Sequence, residues 1–219
     1  MILYYITDRR QFPGSDTEQR RRLLEKIAEA ARAGVDYIQL REKDLGGREL
    51  ERLAGEAMAA VRQARRTGST TRLLINSRAD VALATGADGV HLPADDISPD
   101  DVRAIWASST RNQKLETRNC LLGVSCHSLV EVERAEAQGA DFAVFGPVFE
   151  KPGAVTQGVE ALQRVCRRPQ ARMPVRALGG ITLENAGECL RAGAAGVAGI
   201  RLFQQSDIAS TVRHLLQLH

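Results

Sequence analysis

Short apolar runs alternate along this chain with longer stretches that carry an apolar residue at every third or fourth position. The runs "LYYIT" (3–7), "RLLIN" (72–76), "LLGVS" (121–125) and "VRALGG" (175–180) have strand length and end in polar or glycine residues. The longer stretches predict helices around 17–33, 48–66, 79–85, 98–106, 128–138, 158–168, 182–191 and 207–217. Two begin with helix-start chemistry: Ser128 precedes "LVEVERAEA", and Thr182 stands three residues before Asn185.

Four further strands are carried by one repeated phrase. "ARAGVDYIQL", "ATGADGVHL", "AQGADFAVFG" and "RAGAAGVAGI" each read as an alanine-bearing helix end, a glycine, one or two small or acidic residues, then a strand. Their glycines, Gly34, Gly86, Gly139 and Gly193, are 52, 53 and 54 residues apart. Glycine just past a helix end takes the left-handed conformation that satisfies the last carbonyls. A period near 53 is too long for one strand–helix unit and suits two. Eight strands alternating with eight helices predict a parallel sheet. The expected fold is therefore α/β, a single (β/α)8 TIM barrel spanning 1–219, with an open doubly wound sheet as the weaker alternative. The polar segment 107–119 reads as an exposed connection.

Composition narrows the class without choosing a function. Aromatic residues make up only 4% of the chain, so the core must be built from Leu, Val, Ile and Ala. A net charge of +3 is too small to argue for nucleic acid or an anionic membrane as partner. The run Arg20–Arg22 has no interleaved aromatics to stack bases and is expected on a solvated helix face. Cys120, Cys126, Cys166 and Cys189 lie far apart, which argues against a zinc site or a disulfide framework. The start "MILYYITDRR" is not expected to be a secretory leader, no stretch reaches membrane-span length, and a cytoplasmic location is expected.

Barrels of this kind place their chemistry at the C-terminal ends of the strands. Polar residues gather there. They are Thr7-Asp8-Arg9 after strand 1, Gln39, Arg41 and Lys43 on and beyond strand 2, and Asn76-Ser77-Arg78 after strand 3. Strand 4 carries His91, with Asp95 and Asp96 beyond; strand 5 ends in Ser125-Cys126-His127-Ser128; the strand 6 loop carries Lys151. Gly179 and Gly180 end strand 7, and Gly199 and Arg201 lie at the end of strand 8. Phosphate sites in such barrels frequently lie after strands 7 and 8, where glycines let backbone N–H groups approach an anion. The same glycines also suit tight turns. Arg41, Lys43, Arg78 and Arg201 suit a substrate with more than one anionic group, unless Glu42 or Asp44 neutralises the first two.

The motifs "YIQLREKD", "INSRADVALATGADGVHL", "LLGVSCHSLVEVERAEAQGADFAVFGPVF" and "ALGGITLENAGECLRAGAAGV" resemble the family of thiamin phosphate synthases and TenI-like thiazole tautomerases over nearly the whole chain. For a synthase, the resemblance implies that a pyrimidine methyl diphosphate ionises and the thiazole nitrogen of a thiazole phosphate captures the pyrimidine cation. It places the diphosphate against Gln39, Arg41, Lys43 and Asn76, and the thiazole phosphate at Gly179, Gly180 and the strand 8 turn. It also implies Mg²⁺ held by two aspartates. The second matches Asp96, but the first position is Ser77, a poor substitute toward a hard cation. The loop after strand 6 is abbreviated to "FEKPGAVTQG".

Both departures fall on diphosphate handling. The sequence alone therefore points first to a tautomerase that moves a proton on thiazole carboxylate phosphate without metal or other cofactor. The resemblance implies His127 as its general acid/base. From their places at the strand ends, Ser125, Arg78 and Lys151 are expected among the substrate contacts. His91 is expected to be structural, and His214 and His219 to lie on the surface. The alternatives are a Mg²⁺-dependent thiamin phosphate synthase and a non-catalytic protein that binds thiazole phosphate. The expected partner is a phosphorylated thiazole, with a homodimer as a further possibility.

Overall fold

The structure, a computed structural model, describes residues 1–110, 120–150, 153, 155–169 and 171–218. Eight strands form a closed barrel in which every neighbour pairs in parallel and the last strand closes on the first. They are β1 (Ile2–Ile6), β2 (Tyr37–Leu40), β3 (Arg72–Asn76), β4 (Gly89–Leu92), β5 (Leu121–Cys126), β6 (Phe142–Phe145), β7 (Val175–Leu178) and β8 (Gly196–Gly199). Around them lie α1 (Asp16–Ala33), α2 (Gly47–Arg65), α3 (Ala79–Thr85), α4 (Pro99–Thr110), α5 (Leu129–Ala137), α6 (Gly158–Cys166), α7 (Ala186–Arg191), α8 (Arg201–Gln204) and α9 (Ile208–Leu216). The fold is the expected (β/α)8 TIM barrel.

The helices are held by apolar stripes. In α2, Leu50, Leu53, Ala54, Ala57, Met58, Val61 and Ala64 are buried, the spacing of one helical face. Ser128 caps α5 by accepting the Glu131 N–H at 3.2 Å. Thr182 and Asn185 exchange side-chain bonds with each other's N–H groups, but α7 starts only after them, at Ala186. Other boundaries also moved. α4 extends to Thr110, into the segment expected to be a connection, whose residues 111–119 lie outside the described residues. The short helix α8, not expected, stands between β8 and α9, so Arg201 opens a helix instead of ending a strand. Arg20 is 14% exposed between Asp16 and Glu49, so only part of the Arg20–Arg22 run is solvated.

The repeated phrase has a structural role. Its four glycines all take positive φ, at 88°, 65°, 74° and 105° for Gly34, Gly86, Gly139 and Gly193. In three copies the acidic residue accepts the N–H at the start of the preceding strand. Asp36 takes Leu3 at 2.8 Å, Asp88 takes Leu73 at 2.8 Å, and Asp141 takes Leu122 at 2.7 Å. Each aspartate thus joins an even strand to the odd strand before it, which accounts for the two-unit period. The fourth copy has Ala195, whose N–H donates to Val175 O.

Strand residues of one parity pack outward against the helices, and those of the other fill the barrel. Inside lie Tyr4, Ile6, Leu74, Phe142, Val144 and Ala198. The Phe142 ring reaches so far across that a Cβ on Gly123 would sit 2.3 Å from it, which requires glycine there. Among the described residues no helix is long and apolar enough to cross a membrane.

We expect Asp36→Ala to destabilise the barrel by about 1–3 kcal/mol, the cost of a buried N–H losing its acceptor. Denaturant unfolding checks this; a change under ~0.5 kcal/mol would deny the aspartate its role.

Candidate active site

The strand 2 segment sorts its polar residues by face. Gln39 is buried, and its Nε2 donates to Asn76 Oδ1 at 3.0 Å; Asn76 Nδ2 in turn donates to Ser77 Oγ at 3.0 Å. Gln39 Oε1 is buried without a partner among the described residues. Two residues on, the Arg41 N–H donates to Thr7 Oγ1 at 3.0 Å, and the Thr7 hydroxyl donates to Glu42 Oε1 at 2.6 Å. Glu42 is held by Arg9, which also holds Asp44, while Arg10 reaches Asp44 at 3.0 Å. The Arg9 guanidinium holds the Asp44 carboxyl well below the usual range, whereas burial pushes Glu42 up against the pull of Thr7 and Arg9.

Arg41 and Lys43 have no ion pair among the described residues. The neutralisation by Glu42 or Asp44 that the sequence left open does not occur, because both acids are engaged elsewhere. Asp8, Arg10, Arg41, Glu42, Lys43 and Asp44 line a cavity of about 430 Å³ at the mouth.

Below the mouth, the Tyr4 hydroxyl lies 3.0 Å from His91 Nδ1, and His91 Nε2 lies 2.9 Å from Ser125 Oγ. Tyr4 is fully buried with no other hydrogen-bond partner among the described residues, so its proton goes to Nδ1. His91 then carries its own proton on Nε2 and donates to Ser125, leaving the Ser125 hydroxyl proton for an acceptor in the mouth. Burial, assisted by Arg176 and Arg41, lowers the His91 pKa to about 3, so the ring is neutral. His91 therefore orients Ser125, a role that the sequence reading left unspecified. Arg176, which that reading passed over, is a buried guanidinium 3.8 Å from the Phe142 ring centre and 4.8 Å from that of Tyr37. Its Nε and Nη1 have no hydrogen-bond partner among the described residues.

On the far side, His127 is exposed and its Nδ1 donates to Gly146 O at 2.6 Å, leaving Nε2 without a hydrogen-bond partner among the described residues. Gly179 and Gly180 have φ of 97° and 64°. A Cβ on them would approach Pro147 to 2.4 Å and Phe149 to 2.7 Å, so the strand 6 loop by itself demands both glycines. Gly199 ends β8, and Arg201 opens α8, exposed and without an ion pair among the described residues.

Three of the sequence-stated contacts fare differently. The Arg78 guanidinium is bound to Asp80 at 2.8 and 2.5 Å and lies against Gly47, so its charge, unlike that of Arg41 and Lys43, has an ion-pair partner. Asp96 is exposed, with one oxygen accepting the Ile97 N–H at 2.9 Å. No cluster of three metal-ligating side chains occurs among the described residues. Lys151 lies outside the described residues. Ser77 has φ of 60°, the one positive value on a described residue other than glycine, in a conformation that aspartate and asparagine adopt more readily. Burial raises the thiols of Cys120, Cys126 and Cys189 to about 12, so none is a thiolate nucleophile.

A family model described as thiamine monophosphate synthase matches residues 3–203. The chain belongs to that family. A Geobacter sulfurreducens relative is 42% identical over 219 residues, 99% of this chain and 93% of its own length; its name assigns thiamine-phosphate synthase provisionally. The thiamine-phosphate synthase of Chlorobium luteolum is 38% identical, covering 94% of this chain and 86% of its own. The solved thiamine phosphate pyrophosphorylase of Pyrococcus furiosus superposes with a TM-score of 0.79 at 30% identity, covering 99% and 94% of the two chains. Within the thiamine monophosphate synthase family, these names favour the synthase, which the sequence ranked second, over the tautomerase it ranked first.

The depressed His91 pKa has a stability consequence. Below about pH 6.5 the unfolded chain takes up a proton at His91 that the folded barrel refuses until about pH 3. This contribution makes stability fall as pH drops through that window, with a slope of up to ~1.4 kcal/mol per pH unit. His91→Asn should flatten the slope; an unchanged slope would show that His91 titrates normally.

Proposed function

We propose that this chain joins a pyrimidine methyl diphosphate to a thiazole phosphate and releases inorganic diphosphate. The observation that carries the reading is the pair of unneutralised cations, Arg41 and Lys43, lining one cavity at the mouth. A fork-shaped guanidinium and an ammonium point charge suit the several oxygens of a diphosphate. As the methylene C–O bond breaks, its electron pair leaves with the diphosphate, whose added charge Arg41 and Lys43 neutralise. The thiazole nitrogen then supplies the pair that forms the new C–N bond. The Ser125 proton, directed by Tyr4 and His91, meets an acceptor on the ligand. Backbone groups at Gly179, Gly180 and Gly199, with Arg201, would receive the thiazole phosphate. The synthase names of the relatives support the same reading.

The donor set suits Mg²⁺ in a limited way. This ion is usually held by one or two carboxylates, with substrate phosphate and water completing its shell. Asp96 offers one carboxylate oxygen without a partner among the described residues, and the Ser77 hydroxyl stands in place of a second acid. With so few protein ligands, the ion would arrive with the diphosphate, whose oxygens and water supply the rest of its shell. Bound there, Mg²⁺ would offset charge on the leaving group.

His127 favours a second reading, a thiazole tautomerase, because its Nε2 has no hydrogen-bond partner among the described residues and an imidazole can relay a proton. One assay separates the two. With both substrates and Mg²⁺, thiamin phosphate should form, and Arg41→Ala should lower kcat/KM roughly 10- to 100-fold, the worth of lost charge-assisted hydrogen bonds. Ser77→Asp should lower the Mg²⁺ concentration required. Isomerisation of thiazole carboxylate phosphate alone, abolished by His127→Gln, with no condensation, would establish the tautomerase instead.

A further inference from the structure

Three carboxylates converge on one buried guanidinium beside the mouth. Arg9 Nε and Nη2 meet Asp16 Oδ1 at 3.1 and 3.0 Å, and Nη1 and Nη2 meet the two Asp44 oxygens at 2.7 and 2.6 Å. Nη1 also reaches Glu42 Oε2 at 3.2 Å, and the Arg9 backbone N–H points to both oxygens of that carboxylate at 3.3 and 3.1 Å. The Arg9 and Glu42 side chains are 5% and 1% exposed.

Two of these acids, Glu42 and Asp44, flank Lys43 in sequence, and Glu42 follows Arg41 directly. All four line the same cavity. A carboxylate released by Arg9 would share that cavity with Arg41 and Lys43, which have no ion pair among the described residues, and with Arg10, which already reaches Asp44 at 3.0 Å; opposite charges in a partly desolvated space attract strongly. Asp8, also in the cavity, accepts from Gln11 Nε2 at 2.9 Å and forms no ion pair among the described residues.

We propose that Arg9 is a positioning residue that sequesters Glu42 and Asp44, so that Arg41 and Lys43 keep their charge for a diphosphate. Arginine is required because its planar fork serves several carboxylates at once, whereas a lysine ammonium is a single point charge. Thr7 completes the arrangement by joining the Glu42 carboxylate to the Arg41 backbone. The identity of the anion rests on the synthase reading; the sequestration does not.

Binding of inorganic diphosphate with Mg²⁺, measured by calorimetry, separates sequestration from a merely structural role. Arg9→Gln should weaken binding roughly 10- to 100-fold, the scale of lost charge-assisted contacts. The triple variant Arg9→Gln/Glu42→Gln/Asp44→Asn, which removes the freed acids, should recover most of the affinity. A triple variant as weak as the single one, or a single variant that binds like wild type, would overturn the proposal. If Arg9→Gln does not fold, Arg9→Lys should show intermediate weakening that Asp44→Asn relieves; failure of that relief counts equally against sequestration. A crystal structure of the folded Arg9 variant gives a readout free of the synthase reading. Glu42 or Asp44 should be found paired with Arg41 or Lys43, and acids that stay in place would refute the proposal. Failure of wild type to bind diphosphate would sink the synthase reading, while that structure would still decide on Arg9.

Discussion

Alternate side chains of a strand point to opposite faces, and a closed barrel gives those faces opposite environments. This constraint governs "YIQLREKD". Gln39 enters the barrel and bonds Asn76, and Ile38 and Leu40 pack outward among the helices. Beyond the strand the alternation persists long enough to separate Arg41 and Lys43 from Glu42, which turns to Thr7 and Arg9. Charges that would cancel in solution are thereby held apart over a few residues. The separation depends on β1 as much as on β2, because the acids need a buried cation to receive them.

The barrel interior is more polar than its role as a core requires. Tyr4, His91 and Ser125 form a chain of hydrogen bonds that ends in the mouth, beside the paired Gln39 and Asn76. Phe142 fills the centre beneath them and provides the face on which Arg176 stacks. Packing and chemistry meet at Gly123, which has to be glycine so that Phe142 can cross the barrel beside the His91 ring. Orientation of Ser125 thus comes from residues on β1 and β4 that are themselves locked by burial.

The barrel was legible because its signals are local and repeated. The glycine of the repeated phrase closes a helix, and its aspartate ties two strands, so a period of two units appears directly in the sequence. The mouth was legible in part, since parity alone places Gln39 and Arg41 on one face. Arg9 was not visible as their counterpart: its bonds to Glu42 and Asp44 span 33 and 35 residues, and only the closed sheet brings them together. The ion pair of Arg78 was missed for the opposite reason. A neighbour two residues away, Asp80, satisfies it locally, and a strand-end arginine gives no sign of that preference. Nor did the sequence separate the phosphate and turn roles of Gly179 and Gly180, because the close approach of the strand 6 loop calls for glycine whether or not an anion binds.

On the proposed synthase reading, two anions occupy opposite sides of one mouth, a diphosphate at Arg41 and Lys43 and a monophosphate at the turns after β7 and β8. A crystal structure with inorganic diphosphate, Mg²⁺ and thiazole phosphate tests this most directly. Diphosphate oxygens are expected within hydrogen-bond distance of Arg41 and Lys43, and the thiazole phosphate against the backbone of Gly180 and the start of α8. Diphosphate bound at the β8 turn, or Arg41 turned away toward the helices with the cavity empty, would contradict it.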